Sequence, residues 1–243
     1  MKIYIYKNEE ETCKAYAGFI LSEANKCIEK HGTFNLVLSG GSSPKKVFDI
    51  LVSEPNRDKI NWKKVNFFFG DERHVPEDDP RNNALMAENN LFKPLKIDRD
   101  QIFRIDTSLR PQESAEAYWH SITDFFGKRP VVFDLIMLGL GDDAHTASLF
   151  PDSDLLKETG EGVRATYLDK EKMYRISLTA PLINQAKTIG ILTYGQKKAS
   201  AVAAVLEGPY NPSRYPAQLI KNPQWYIDAE AAAVLKEAQH LSP

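Results

Sequence analysis

The feature that most constrains the fold of this 243-residue chain is the alternation of short apolar segments with longer segments of helical periodicity. Residues 34–38, 65–69 and 131–140 have the length and the apolar composition of buried strands. Residues 9–30 and 112–126 instead repeat apolar side chains at helical spacing. This alternation predicts an α/β fold with a largely parallel, Rossmann-like sheet that is covered by helices on both faces.

Weaker patterns complete the predicted fold. Gly32 is a typical stop for the first helix. Short strands are predicted at 102–105, 174–178, 188–194 and 225–228, and helices at 196–206 and 229–239. The polar stretch 152–172 lacks periodicity, and its mobility stays undetermined.

Polar segments that contain glycine follow three of the predicted strands. They are residues 39–44 (SGGSSP), 70–76 (GDERHVP) and 139–151 (GLGDDAHTASLFP). In parallel α/β sheets, ligands bind beyond the carboxyl ends of the strands. We therefore expect the three segments to form one site, and this convergence favours a single domain over residues 1–243.

The first of these segments has the features of a phosphate-binding turn. Gly40 and Gly41 permit positive φ angles and close approach, and the helix that follows offers unpaired N–H groups to an anion, beginning near Ser42. The alternative is an ordinary helix start, in which Ser43 is the cap and Pro44 the first helical residue. The segment matches neither a Walker loop nor the dinucleotide fingerprint.

The second and third segments carry the candidate catalytic groups. Arg73 could hold a phosphate or a developing oxyanion, although a surface charge cluster is a competing interpretation. His145 is one of five histidines and suits general-base chemistry near neutral pH. Asp143 could orient the His145 ring. Taken alone, such a pair is more often a hydrogen-bonded loop histidine than a catalyst.

Composition and charge exclude several classes of protein. Lys and Arg (31) nearly balance Asp and Glu (33), giving a net charge of −2, so a nucleic-acid partner is not expected. The longest apolar run, 201–206, is far shorter than the roughly 20 residues that span a bilayer, and no export signal is apparent. Cys13 and Cys27 lie on one predicted helix about 21 Å apart, too far for a disulfide, which suits the cytoplasm. No metal-ligand spacing is found.

Taken together, the segments resemble the 6-phosphogluconolactonase family, within a group that also contains glucosamine-6-phosphate deaminases. The resemblance covers about residues 39–208 and rests on the order of GGSSP, GDERHVP, DLIMLGLGDDAHTASLFP, RISLT and GQKKA. Lactonases of the family read DER-x-VP and G-x-DGHTASLFP. Two departures occur: Ala144 replaces the usual glycine, and Asn82-Asn83 replaces Ser-Asn.

The resemblance implies hydrolysis of 6-phospho-D-glucono-1,5-lactone to 6-phospho-D-gluconate in the oxidative pentose phosphate pathway, without a metal or cofactor. In this scheme His145 activates water, Asp143 orients His145, and Arg73 stabilises the oxyanion or contacts the phosphate. The residues expected to bind the substrate and its phosphate are Gly40, Gly41, Ser42, Ser43, Asp71, Arg175 and Lys198. The expected partner is therefore a small sugar-phosphate lactone, and the oligomeric state stays undetermined.

Two other functions stay open at this point. One is a glucosamine-6-phosphate deaminase or isomerase, but deaminases of the group carry an acidic residue where Phe150 stands here, and phenylalanine cannot transfer a proton. The other is a non-catalytic sugar-phosphate sensor attached to a transcription regulator. That interpretation expects a DNA-binding domain, for which the first 33 residues leave little room, and gives no reason to keep both Arg73 and His145.

Overall fold

A six-stranded parallel sheet forms the centre of the structure, a computed structural model that describes residues 1–236. The strands of this part of the chain are β1 (Lys2–Tyr6), β2 (Phe34–Leu38), β3 (Val65–Phe69), β4 (Asp71–Arg73), β5 (Leu135–Gly139), β6 (Val163–Leu168), β7 (Met173–Leu178), β8 (Thr188–Thr193) and β9 (Gln224–Asp228). The large sheet has the order β1-β9-β8-β5-β2-β3, and its neighbouring strands pair in parallel. The predicted parallel α/β sheet is confirmed.

Helices flank this sheet. They are α1 (Glu9–His31), α2 (Ser42–Val52), α3 (Asn83–Ala87), α4 (Lys93–Leu95), α5 (Pro111–Phe126), α6 (Ala180–Ile183) and α7 (Ala199–Leu206). The side chain of Asn8 caps α1 by accepting the N–H of Glu11 at 3.0 Å. Gly32 ends the same helix with φ +86°, a left-handed conformation that glycine favours, so the predicted stop is confirmed.

The buried strands explain why the sequence reads as continuous apolar runs. All five residues of β2 are buried, as are four of the five in β5. Side chains on both faces of such strands lie against helices, so polar residues do not alternate with apolar ones. A cluster of phenylalanine rings supports one edge of the sheet, where Phe68 stacks on Phe103 at 4.5 Å between centroids. The rigid sheet fixes the positions of the loops at its carboxyl edge.

A second, antiparallel sheet of three strands, ordered β4-β7-β6, was not predicted. The polar stretch 152–172 contains a 3-10 turn at Asp154–Lys157 and all of β6. The strand predicted at 174–178 exists as β7 but belongs to this second sheet. Its register places Arg175 directly opposite Arg73 of β4.

Other elements differ from prediction at the ends of the chain and in one connection. The predicted strand at 102–105 is reduced to a single bridge between Ile102 and Phe67. Residues 229–236 form turns and not a helix, and the rest of that predicted helix lies outside the described residues. Strand β1 was missed. Cys13 and Cys27 are free thiols, as expected, and no helix in residues 1–236 is long and apolar enough to cross a membrane.

Candidate active site

A cavity of about 280 Å³ lies at the carboxyl ends of β2, β5 and β8. A wider groove of about 1140 Å³ borders it and shares His145, Phe150 and Lys198 with it. The predicted site residues that line the smaller cavity are Gly40, Gly41, Ser42, Ser43, Asp71, Arg73, His145, Arg175 and Lys198. The three glycine-bearing segments therefore converge as predicted, and Asp143 joins them through its contact with His145.

The turn after β2 needs both of its glycines. Gly41 has φ +104°, and a side chain on Gly40 would lie 1.8 Å from Oδ1 of Asn83. Helix α2 begins at Ser42 with Gly41 as its N-cap, so the alternative with Ser43 as the cap is wrong. The first N–H groups of this 11-residue helix have no partner within the helix, and they face the edge where the cavity lies.

The loop after β5 holds a histidine and a carboxylate in contact. Nδ1 of His145 lies 2.5 Å from Oδ1 of Asp143, and the His145 backbone N–H donates to the same oxygen at 3.2 Å. The hydrogen bond from His145 is the main reason that the pKa of Asp143 is lowered to about 2. An ionised carboxylate can only accept, so Nδ1 carries the proton. Nε2 of a neutral His145 ring is thereby left with its lone pair.

Ala144 keeps the backbone shape that a glycine would give at this position. Its φ is +63° and its side chain is buried. The loop holds this conformation through hydrogen bonds from the Ala144 N–H to the Gly141 carbonyl and from the Ala217 N–H to the Ala144 carbonyl, both at 3.0 Å. The departure from the family glycine therefore adds backbone strain without moving the loop away from the cavity.

The first two residues of the DER segment connect parts of the site. The Ser148 hydroxyl donates to Asp71 at 2.6 Å, which ties the second segment to the third. Glu72 is buried and accepts backbone N–H groups from Arg73, Asn83 and Ala84 at 2.7–2.9 Å. Burial raises the pKa of Glu72 to about 7, against the opposing effect of these N–H donors. Glu72 thus anchors the start of α3 beside β4.

Two arginines face each other across β4 and β7. Arg73 and Arg175 are direct cross-strand partners, and both line the cavity. Each has a buried Nε atom without a hydrogen-bond partner. Like charges in this position repel, so an anion between them would relieve an unfavourable contact. Arg175 also packs over the Phe150 ring at 5.8 Å and pairs with Glu171.

Several residues of the site were missed by sequence reasoning. Asn83 and Thr193 line the cavity and each has a buried side-chain oxygen without a partner, which suits the recognition of substrate hydroxyls. Asn83 directly follows Asn82, the residue that departs from the family pattern, and itself matches the family's Asn, so a signal for it existed. Asp142 contacts Lys198 at 2.6 Å, and Glu171 contacts Arg175. These two contacts form only when the chain folds, so no sequence motif predicts them.

A separate group of possible metal ligands lies at the opposite end of β5. Cys27, His31 and Asp134 place their ligand atoms within 4.8 Å of one another. The ammonium of Lys187 already lies 2.7 Å from Asp134 and 3.2 Å from His31. The ammonium of Lys187 therefore supplies the positive charge beside these three residues, and the group lies away from the cavity.

Comparison with known proteins agrees with this geometry. Residues 7–227 match the family described as glucosamine-6-phosphate isomerases/6-phosphogluconolactonase. The chain is 35% identical over 224 residues to a 6-phosphogluconolactonase of Nostoc sp., covering 89% of this chain and 90% of that protein. A 6-phosphogluconolactonase of Haemophilus influenzae is 36% identical over 205 residues, covering 83% and 87%.

Solved structures give the same result. The structure of 6-phosphogluconolactonase from Trypanosoma brucei aligns with a TM-score of 0.84 at 28% identity, covering 96% of this chain and 98% of that one. The family match extends over most of the chain and includes all three glycine-bearing segments. The chain therefore belongs to the family of glucosamine-6-phosphate isomerases and 6-phosphogluconolactonases.

Proposed function

We propose that this protein hydrolyses 6-phospho-D-glucono-1,5-lactone to 6-phospho-D-gluconate. The observation that carries the proposal is the meeting of the His145–Asp143 pair with a phosphate-type turn and two facing arginines in one cavity. Relatives that cover most of the chain bear the name 6-phosphogluconolactonase, which supports the same reaction. We also propose one domain over residues 1–243, acting in the cytoplasm, where free Cys13 and Cys27 would stay reduced.

The substrate phosphate would bind at the start of α2. Backbone N–H groups of Ser42 and Ser43 would donate to its oxygens, and Gly41 lets the turn approach them closely. Lys198 and Arg175 line the same cavity and would supply charge. Binding the phosphate away from the lactone carbonyl orients the ring, which converts remote binding energy into alignment of the reacting atoms.

The proposed chemistry is general-base attack by water. Nε2 of His145 takes a proton from water while the water oxygen forms a bond to the lactone carbonyl carbon, and the C=O electron pair moves onto oxygen. Asp143 stabilises the imidazolium that results. The tetrahedral intermediate then expels the ring oxygen, which receives the proton from Nε2, leaving the carboxylic acid to ionise. General-base catalysis of this kind contributes about 10²- to 10⁴-fold.

Arg73 supplies positive charge beside the reacting carbonyl or the phosphate. Kinetics of Arg73→Ala separate the two roles: lower kcat assigns Arg73 to the oxyanion, and a higher KM with little change in kcat assigns it to the phosphate. No step needs a cofactor, because an ester carbonyl is electrophilic enough for a correctly held water.

Phe150 favours lactone hydrolysis over amino-sugar isomerisation. Its ring packs against the His145 ring with 4.3 Å between centroids, at a position where deaminases of the group carry an acidic residue. Ring opening and proton movement between carbons need several acid–base groups, and this side chain supplies none. Water addition needs only a base and a site for the oxyanion, which the cavity provides.

The test is to generate 6-phosphogluconolactone and follow its loss above the spontaneous rate, in parallel with ammonia release from glucosamine 6-phosphate. We expect rapid loss of lactone and no release of ammonia. Ammonia release without lactone turnover would identify a deaminase. Tight binding of 6-phosphogluconate without either reaction would identify a sugar-phosphate sensor.

A further inference from the structure

The two cations that the proposed function assigns to the phosphate, Arg175 and Lys198, are already paired with carboxylates of this chain. The guanidinium of Arg175 contacts Glu171, and the ammonium of Lys198 lies 2.6 Å from Asp142. Neither carboxylate takes part in the proposed chemistry. The two pairs therefore oppose the entry of an anionic ligand, since the ligand must take the place of a carboxylate.

Glu171 lies where the facing arginines would hold an anion. It lines the cavity together with Arg73 and Arg175, on the connection between β6 and β7. Its side chain is 40% exposed whereas that of Arg175 is 7% exposed, so the carboxylate can turn to solvent while the guanidinium stays in place. Its negative charge offsets the repulsion between the arginines until a ligand arrives.

Asp142 holds the corresponding position beside the His145 loop. Its side chain is 67% exposed and that of Lys198 is 27% exposed, so again the carboxylate is the partner that can leave. Asp142 immediately precedes Asp143, and the loop that carries both residues lies next to the point of lactone attack. Hydrolysis turns an uncharged carbonyl into a carboxylate, so the product carries one more negative charge than the substrate.

We infer that Asp142 and Glu171 are intramolecular competitors for Lys198 and Arg175, and that they limit how tightly the anionic product is retained. This inference rests on the proposed function, because it takes the anion site to be the one that binds the substrate phosphate. The phosphate is present in both substrate and product, so unpaired cations would hold both molecules tightly. Competing carboxylates weaken that hold, which favours product release after each turnover.

The test measures binding of 6-phosphogluconate and of inorganic phosphate by titration calorimetry in Asp142→Asn and Glu171→Gln. We expect each variant to bind 6-phosphogluconate about two- to five-fold more tightly, the range for removing a partly exposed charge pair. Inorganic phosphate should bind more tightly to at least one of the two. Asp142→Glu keeps the negative charge and should stay close to the wild-type dissociation constant.

The matched control is Asp154→Asn. This change also removes one negative charge beside the groove, but Asp154 pairs with Lys157, which lines neither the cavity nor the groove. An equal gain in affinity in the control would show a general charge effect and overturn the inference, as would unchanged or weaker binding in the two test variants. Because affinity is measured without turnover, loss of the proposed lactonase activity in the wild type would be recognised separately.

Discussion

A methyl group on Gly141 should disable His145 while leaving the fold intact. The added Cβ would lie 2.0 Å from His145 Nδ1, 2.3 Å from its Cε1 and 2.7 Å from Asp143 Oδ1. Unbonded heavy atoms of this kind prefer about 3.5–4.0 Å, so the ring must move by more than about 1 Å. The His145 side chain is 30% exposed, so it has room to move away.

That movement would break the 2.5 Å contact between His145 and Asp143 and displace Nε2 from the water that it activates. A displacement of about 1 Å costs about 10²-fold in rate, so we expect kcat of Gly141→Ala for lactone hydrolysis to fall at least that far. Gly141 does not have a left-handed φ, so alanine is compatible with the backbone. The free energy of unfolding should change by less than about 1.5 kcal/mol, the value of one hydrogen bond.

Gly18→Ala is the matched control. It adds the same methyl group on the exposed side of α1, where no atom lies within 4 Å. It should leave kcat unchanged and raise the free energy of unfolding by about 1 kcal/mol, because alanine is the better helix former. Wild-type kcat in a folded Gly141→Ala enzyme would refute the assignment of His145 to catalysis.

Two further changes test the buried groups around the site. Burial raises the pKa of Glu72 to about 7 in the folded state, whereas the unfolded chain loses this proton at the lower pH usual for a glutamate. The free energy of unfolding should therefore fall as pH rises from the usual glutamate pKa towards about 7. The loss relative to Glu72→Gln is up to about 3 kcal/mol and is measured by urea denaturation at about pH 5 and about pH 8. At the left-handed Ala144, glycine should change stability by under about 1 kcal/mol, whereas valine should destabilise by at least about 2 kcal/mol.

Clear outcomes would contradict each of these expectations. Parallel pH dependence of wild type and Glu72→Gln would show that the pKa of Glu72 is the same in the folded and unfolded states. A valine at position 144 with wild-type stability would show that the loop adopts another backbone conformation. Thermal unfolding of wild type, Ala144→Gly and Ala144→Val under one set of conditions provides the comparison at position 144.

The parts of the fold that could be predicted from the sequence are those with a local sequence pattern, such as an apolar run or a glycine turn. Buried strands such as β2 appear as apolar runs because both faces are covered, and glycine turns mark their carboxyl ends. The second sheet was not predicted, because β4 has only three residues and β6 lies in a polar stretch, so neither forms an apolar run of strand length. The facing of Arg73 and Arg175 follows from the register of those strands, which no spacing reveals.

The C-terminal segment shows tertiary contacts overriding local preference. Its alanine-rich composition favours a helix, yet residues 229–236 form turns. Asp228 accepts the N–H groups of Gly195 and Ala231 at 3.0 and 2.8 Å, which fixes the chain as it leaves β9. Ala231 and Ala232 are buried there. Because Asp228 accepts the Gly195 N–H, its carboxylate also supports the turn that leads to Lys198.

The most direct test of the central claim is the kcat of His145→Ala on freshly generated 6-phosphogluconolactone, measured against the spontaneous rate. The account predicts a fall of about 10²- to 10⁴-fold, with the fold intact by circular dichroism and 6-phosphogluconate still bound through its phosphate. Full turnover by a folded His145→Ala enzyme would contradict the claim that Nε2 of His145 activates the attacking water.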